Sequence, residues 1–220
     1  MHVTRRSLAK ISLSAAALSG GAMTFLSRAL ADDENVLSRD AILRDPDIPA
    51  TGNPDGDVTV VEYLDYQCPY CRKVHPILEQ AAREDGRTRL VYKNWPVFGE
   101  DSVYSAQMAL AAREQGKYVQ AHAALIGLNT KVTATVTDKA LADAGIDVER
   151  AKAERVKNIQ AIGAVLKRNH AQAEALGLQG TPGFIIGKFR VPGVLSLENF
   201  KLAIADARKA LAQDAKDGKK

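Results

Sequence analysis

The sequence predicts an α/β fold in which one mixed sheet, flanked by helices, is interrupted by a helical subdomain. Three observations predict it. A strand–helix–strand unit opens at Val58, an Ala-rich helical stretch runs from about Ser102 to Leu176, and strand signals return in "GFIIG" and "KFRVPG" before a last helix. Strands at both ends with helices between them imply a single sheet with an insertion rather than two domains.

The elements follow in order. Residues 1–31 read as a cleaved export signal: a basic start "TRRSLAK", an apolar but Ser- and Gly-rich stretch from Ile11 to Leu26, and "ALA" before "DDEN". That stretch falls short of the ~20 apolar residues that span a bilayer. The Arg5-Arg6 pair resembles a twin-arginine signal, and a Sec signal can look similar; either route implies the periplasm. The net charge of +4 belongs to this leader, because without Arg5, Arg6, Lys10 and Arg28 the chain carries 26 basic and 26 acidic residues. The body therefore shows no bulk attraction to nucleic acid. With 46% hydrophobic residues it has ample material for a core.

Residues 32–56 are polar and turn-rich, an N-terminal extension with one short element around Val36 to Leu43. "VTVVEYLDY" (58–66) is a near-continuous apolar run, the pattern of a strand covered on both faces. Cys68 to Arg83 has helix composition, and "TRLVYKNW" after Asp85-Gly86 is a second strand; residues 57–98 form the first part of the sheet domain. The insertion, 99–177, breaks near Gly116, Gly127 to Thr135 and Gly145-Ile146. Its last helix shows Ile159, Ile162, Leu166, Asn169, Ala173 and Leu176 at spacings of three and four, expected as one buried stripe. The second part, 178–213, holds two strands joined by a turn near Gly187-Lys188 and a helix capped by Ser196, with Leu197, Phe200, Ile204 and Leu211 inward; residues 214–220 are expected as a disordered tail.

Both cysteines lie in "DYQCPYCRKVHP" (65–76), where a strand gives way to a helix. Pro69 then occupies the first helical position, where its missing N–H costs nothing, and Cys68 is the N-cap. There its sulfur faces the N–H groups of Tyr70 and Cys71 and the positive helix end, so its acidity is expected to rise and the thiolate to be open to incoming chains. Cys71, one turn further in, has the place of a resolving thiol. As a mere staple the pair closes a loop of about four residues, which removes on the order of 2 kcal/mol of chain entropy. Zinc asks for about four ligands. The chain after the leader offers besides these only His75, His122 and His170, which carry no second close pair and are read as surface or satisfied histidines. A redox pair is therefore preferred to a metal site or a staple.

These residues resemble the thioredoxin-fold disulfide oxidoreductases, in particular the exported DsbA-like branch that includes the suppressor-of-copper-sensitivity C proteins. "CPYC" after an apolar strand matches the active-site motif, and Pro76 resembles the helix-kinking proline. Glu62, six residues before Cys68, matches the buried carboxylate, and "GTPGFII" looks like the cis-proline loop, with Pro182 preceded by Thr181. "YKNWPVFGEDS" resembles the entry to the DsbA-type insertion. The resemblance implies a thioredoxin fold from about Val58 to Leu211, with Cys68, Cys71 and Glu62 as catalytic groups and Pro69, Tyr70, Thr181 and Pro182 beside the substrate. It implies no cofactor or metal.

By the same resemblance the partners are cysteine-containing exported proteins and either a membrane oxidase of the DsbB type or a membrane reductant, with no stable membrane insertion after cleavage. Glu62 could instead be a salt-bridged acid, and Trp95 reads as a packing residue rather than a ligand contact. The expected activity is forming or exchanging disulfides in exported proteins. Thr181 is more typical of isomerase or reductase-like members, so that direction stays open, as do a copper- or zinc-binding module on the two cysteines and a holdase using a groove near Pro182.

Overall fold

The computed structural model describes residues 36–218; the leader expected at 1–31 lies outside them. In chain order the elements are α1 (Arg39–Leu43), β1 (Ala50–Gly52), β2 (Val58–Leu64), α2 (Pro69–Asp85), β3 (Thr88–Asn94), α3 (Glu100–Ala111), a 3-10 turn (Ala112–Gln115), α4 (Tyr118–Ile126), α5 (Ala134–Asp143), α6 (Val148–Lys157), α7 (Ile159–Ala175), β4 (Gly183–Ile186), β5 (Phe189–Pro192) and α8 (Leu197–Asp217).

The five strands form one sheet in the order β1-β3-β2-β4-β5, with β2 central. β2 runs parallel to β3 and antiparallel to β4. Every residue of β2 and β3 is buried, as the near-continuous apolarity of "VTVVEYL" predicts for β2. The parallel pair is made possible by α2, which crosses over and ends at Gly86, whose φ of 69° is the left-handed conformation that closes a helix without a Cβ clash. β4 and β5 are joined by the two-residue turn expected at Gly187-Lys188, where Gly187 has φ 58° and Ala207 of α8 sits 3.0 Å from the position a Cβ would take. α2 and α8 pack together on one face, and α1 and α7 contact β2 and β3.

Side chains alternate along each strand, so neighbouring residues of β2 and β3 serve opposite faces. Glu62 pairs in register with Tyr92, and both point to the α2 side, where the Tyr92 hydroxyl donates to Glu79 Oε1 at 2.5 Å. Lys93, the next residue, points the other way and pairs with Asp45 Oδ2 at 2.8 Å. That carboxylate also takes two bonds from the Arg168 guanidinium of α7, at 3.1 and 2.8 Å. Lys93 stays fully buried at the centre of this cluster; burial lowers its pKa to about 8, opposed by Asp45.

Three expectations need correction. The extension holds, besides α1, the edge strand β1, which pairs antiparallel with β3; three residues ending in a glycine leave no periodic trace. Helix α8 continues to Asp217, beyond the boundary at 213, with Lys188 of the β4–β5 turn holding Asp214 at 2.8 Å. In α7, Ile159 is 37% exposed: it opens the helix directly after α6, and the buried face starts one turn later with Ile162, Val165, Asn169, Gln172 and Ala173.

Candidate active site

The C-terminal end of the central strand carries the cysteines. After β2 the chain turns tightly: Asp65 Oδ1 accepts the N–H of Gln67 at 2.7 Å, and the Asp65 carbonyl accepts that of Cys68 at 3.0 Å. Pro69 then starts α2 with Cys68 as its N-cap residue, as the sequence suggests. Against this helix start lies the loop before β4, where the Thr181–Pro182 peptide bond is cis. Thr181 presents its carbonyl to Cys68, whose thiol donates to it at 3.2 Å.

Cys68 is the acidic thiol. Its pKa falls from an ordinary 9.0 to about 6, first through the hydrogen bond from the Cys71 thiol, against the cost of burial. The Thr181 hydroxyl and the N–H groups of Cys71 and Tyr70 add smaller shares. This ranking differs from the expectation. The sulfur closes no full capping bond, and the helix start only assists what the neighbouring thiol does. Ionisation also ends the thiol's donation to the Thr181 carbonyl, so the charged sulfur is held by Cys71 instead.

Accessibility also differs from the expectation. Cys68 is only 1% exposed, because its reduced side chain turns inward to Thr181 rather than outward from the helix end. It contributes to the wall of an open groove of about 770 Å³, together with Tyr70, Trp95, Val97, Phe98, Leu178 and Thr181. Pro69 and Tyr70 stand exposed on the rim, and Pro182 is buried behind Thr181. The sulfur thus lies at a groove wall, with the Thr181 backbone alongside.

Cys71 is fully buried and its pKa is pushed far up, chiefly by burial, then by its donation to Cys68 and by the negative charge of Glu62. Glu62 is itself fully buried on β2 and belongs to no salt bridge; neither oxygen has a hydrogen-bond partner among the described residues. Burial raises its pKa well above the usual carboxylate range, reinforced by negative charge at Cys68 and Glu79; the nearby Cys71 thiol opposes this weakly. Burial thus biases both groups toward their protonated forms.

The three histidines lie outside this core. His122 is buried, its Nδ1 3.1 Å from the Tyr66 hydroxyl and its ring stacked 4.0 Å from that of Tyr92. His75 packs edge-on to it, and His170 accepts the Trp95 indole N–H at 2.9 Å. Trp95 is thus a packing residue and also a groove wall. Val97 and Phe98, to which the motifs assign no role, complete that wall. Their signal was present: an apolar "WPVF" placed directly after a strand and outside any periodic element.

A cysteine pair that opens a helix after the central strand, faces a cis-proline loop and is backed by a buried carboxyl is an arrangement of the thioredoxin class. Comparison with known proteins agrees. A family model described as thioredoxin matches residues 45–206, and the chain belongs to that family. The crystal structure of a thioredoxin-like oxidoreductase from Silicibacter pomeroyi DSS-3 is 39% identical, superposes with a TM-score of 0.75, and covers 78% of this chain and 98% of that one.

The thiol:disulfide interchange protein DsbA of Bordetella parapertussis is 23% identical over 172 residues, 76% of this chain and 82% of that protein. The Na(+)/H(+) antiporter NhaA 3 of Salinispora tropica is 26% identical over 166 residues, 74% of this chain but 25% of that protein. The chain thus spans about a quarter of the length of the curated relatives it matches first.

Proposed function

We propose that this chain is a periplasmic thiol–disulfide oxidoreductase that forms or exchanges disulfides in exported proteins through the Cys68-Pro-Tyr-Cys71 pair. The observation that carries the reading is the asymmetry of the two sulfurs: Cys68 ionises near pH 6 at a groove wall, while Cys71 stays protonated in the interior. The difference supports both steps of exchange: Cys68 leaves readily as a thiolate when the mixed disulfide is resolved, and Cys71, a poor leaving group by itself, needs a proton as it departs.

The cycle starts from the Cys68–Cys71 disulfide. A substrate thiolate attacks Cys68 Sγ, the bond to Cys71 breaks, and Cys71 departs as a thiolate that takes its proton from Glu62. A second substrate thiolate then attacks the substrate sulfur of the mixed disulfide and expels Cys68 as a stable thiolate. The enzyme ends with two reduced thiols and the substrate with a disulfide. Thr181 and Pro182 hold the substrate backbone in an extended form beside the sulfur, and Pro69 and Tyr70 form the rim it crosses. Reoxidation is assigned to a membrane oxidase of the DsbB type, and residues 1–31 to export. A thiolate this stable favours the reduced enzyme, which makes the disulfide a donor.

The test uses two variants. C68S is expected to lose exchange down to the uncatalysed background, and C71S to accumulate mixed disulfides with substrate, read on non-reducing gels. Full exchange by C68S would remove the reading.

A further inference from the structure

Resting on that reading, we infer that Asp65 is a specificity-determining positioning residue: its carboxylate fixes the apolar wall of the groove to the turn that carries Cys68.

The side chain is 2% exposed yet belongs to no salt bridge among the described residues, and hydrogen bonds satisfy it. Oδ1 accepts the Gln67 N–H at 2.7 Å and the Ser102 hydroxyl at 2.8 Å; Oδ2 accepts the N–H groups of Val97 at 2.7 Å and Phe98 at 3.1 Å. The four donors come from three places: the cysteine turn, the loop after β3, and the first turn of α3. The Gln67 amide closes the ring by donating to Ser102 Oγ at 3.2 Å and to the Phe98 carbonyl at 3.4 Å. Three residues on, the Cys68 N–H is held by the carbonyl of the same aspartate.

What the carboxylate holds in place is unusual. Val97 and Phe98 are 43% and 53% exposed, so burial does not fix them; their position comes from their backbone N–H groups. The Trp95 N–H anchors the start of the loop to the Leu64 carbonyl at 2.7 Å, and Asp65 anchors the rest. Two solvent-facing apolar side chains kept at a set distance from the reactive sulfur suit a substrate with apolar residues beside its cysteine.

The side-chain chemistry gives a graded series. Alanine removes all four acceptor bonds. Asparagine keeps an acceptor for Val97 and Phe98, and its amide can donate to Ser102 once that hydroxyl rotates, but it faces the Gln67 N–H with another donor. S102A removes one donor and leaves the carboxylate.

The experiment compares a peptide whose single cysteine is flanked by leucine and phenylalanine with glutathione, which is too small to reach the wall. For D65A the ratio of peptide to glutathione kcat/KM should fall about tenfold, mainly through a higher peptide KM, with a smaller fall in D65N and about twofold in S102A. The Cys68 thiolate titration should not move upward. An unchanged ratio overturns the inference, whether both rates hold or both fall together as a general loss of structure would produce. If D65A does not fold, D65N and S102A carry the same test. Failure of the wild type to exchange with either thiol would instead strike the proposed function.

Discussion

Glu62 and Asp45 are both buried, and the groups beside them, on β2 and β3, belong to opposite faces of one sheet. Their surroundings differ in kind. Asp45 meets Lys93 and Arg168 within 2.8 Å, and these cations, aided by the Asp47 N–H, outweigh burial and lower its pKa. Among the described residues Glu62 meets no cation and no hydrogen-bond donor of full geometry, and its pKa rises. A buried carboxylate that serves the fold is neutralised by partners; one left unpartnered stores a proton instead. The first costs stability when removed, and the second costs stability while present.

Each half of that contrast can be broken separately. The largest effect is expected on the α1–α7 side: D45A leaves Lys93 buried without its acid and should destabilise the protein by about 3 kcal/mol or more, read from denaturant midpoints. Because the cluster lies across the sheet from the sulfurs, exchange by the remaining folded protein should be close to that of the wild type. A D45A protein that is stable but inactive would reverse the assignment.

E62Q is expected to do the opposite. Without a proton donor for the leaving Cys71, reduction of the enzyme disulfide should slow by about 10²-fold. Stability should hold or improve, since an amide is cheaper to bury than an unpaired acid; E62L should raise it by roughly 1–3 kcal/mol. An E62Q enzyme with an unaltered rate would leave the orphaned carboxyl without a task.

A smaller, pH-dependent effect follows from Cys68. Its folded pKa of about 6 lies below the ordinary 9.0, so the reduced form gains stability as pH rises from 6 to 9, holds it above 9, and loses it as pH falls through 6. C68S should flatten that rise, as seen in urea midpoints of reduced protein at several pH values.

The contrast was only half legible in the sequence. Glu62 stands out as a lone acid in "VTVVEYL", and the spacing of the cysteines, Pro69 at the helix start and the "GTPG" loop are local signals that survive without neighbours. The Lys93–Asp45–Arg168 cluster joins three segments far apart in the chain; Lys93 in "TRLVYKNW" looks like an ordinary solvent-facing strand residue until α1 and the Asp45 that follows it meet its ammonium. The groove wall is intermediate. "WPVF" is visible as apolar, but that Asp65 holds it depends on a turn geometry set by Cys68 and Ser102 together. The inward turn of the Cys68 sulfur was not readable, because it depends on the Thr181 carbonyl, 113 residues away.

The central claim is the difference between the two sulfurs, and a thiolate titration tests it most directly. Ultraviolet absorbance of the reduced protein, followed from pH 4 to 10 against C68S and C71S controls, should show one thiol ionising with a midpoint near 6 and the other silent across the range. Two thiols titrating together near 9.0 would contradict the account.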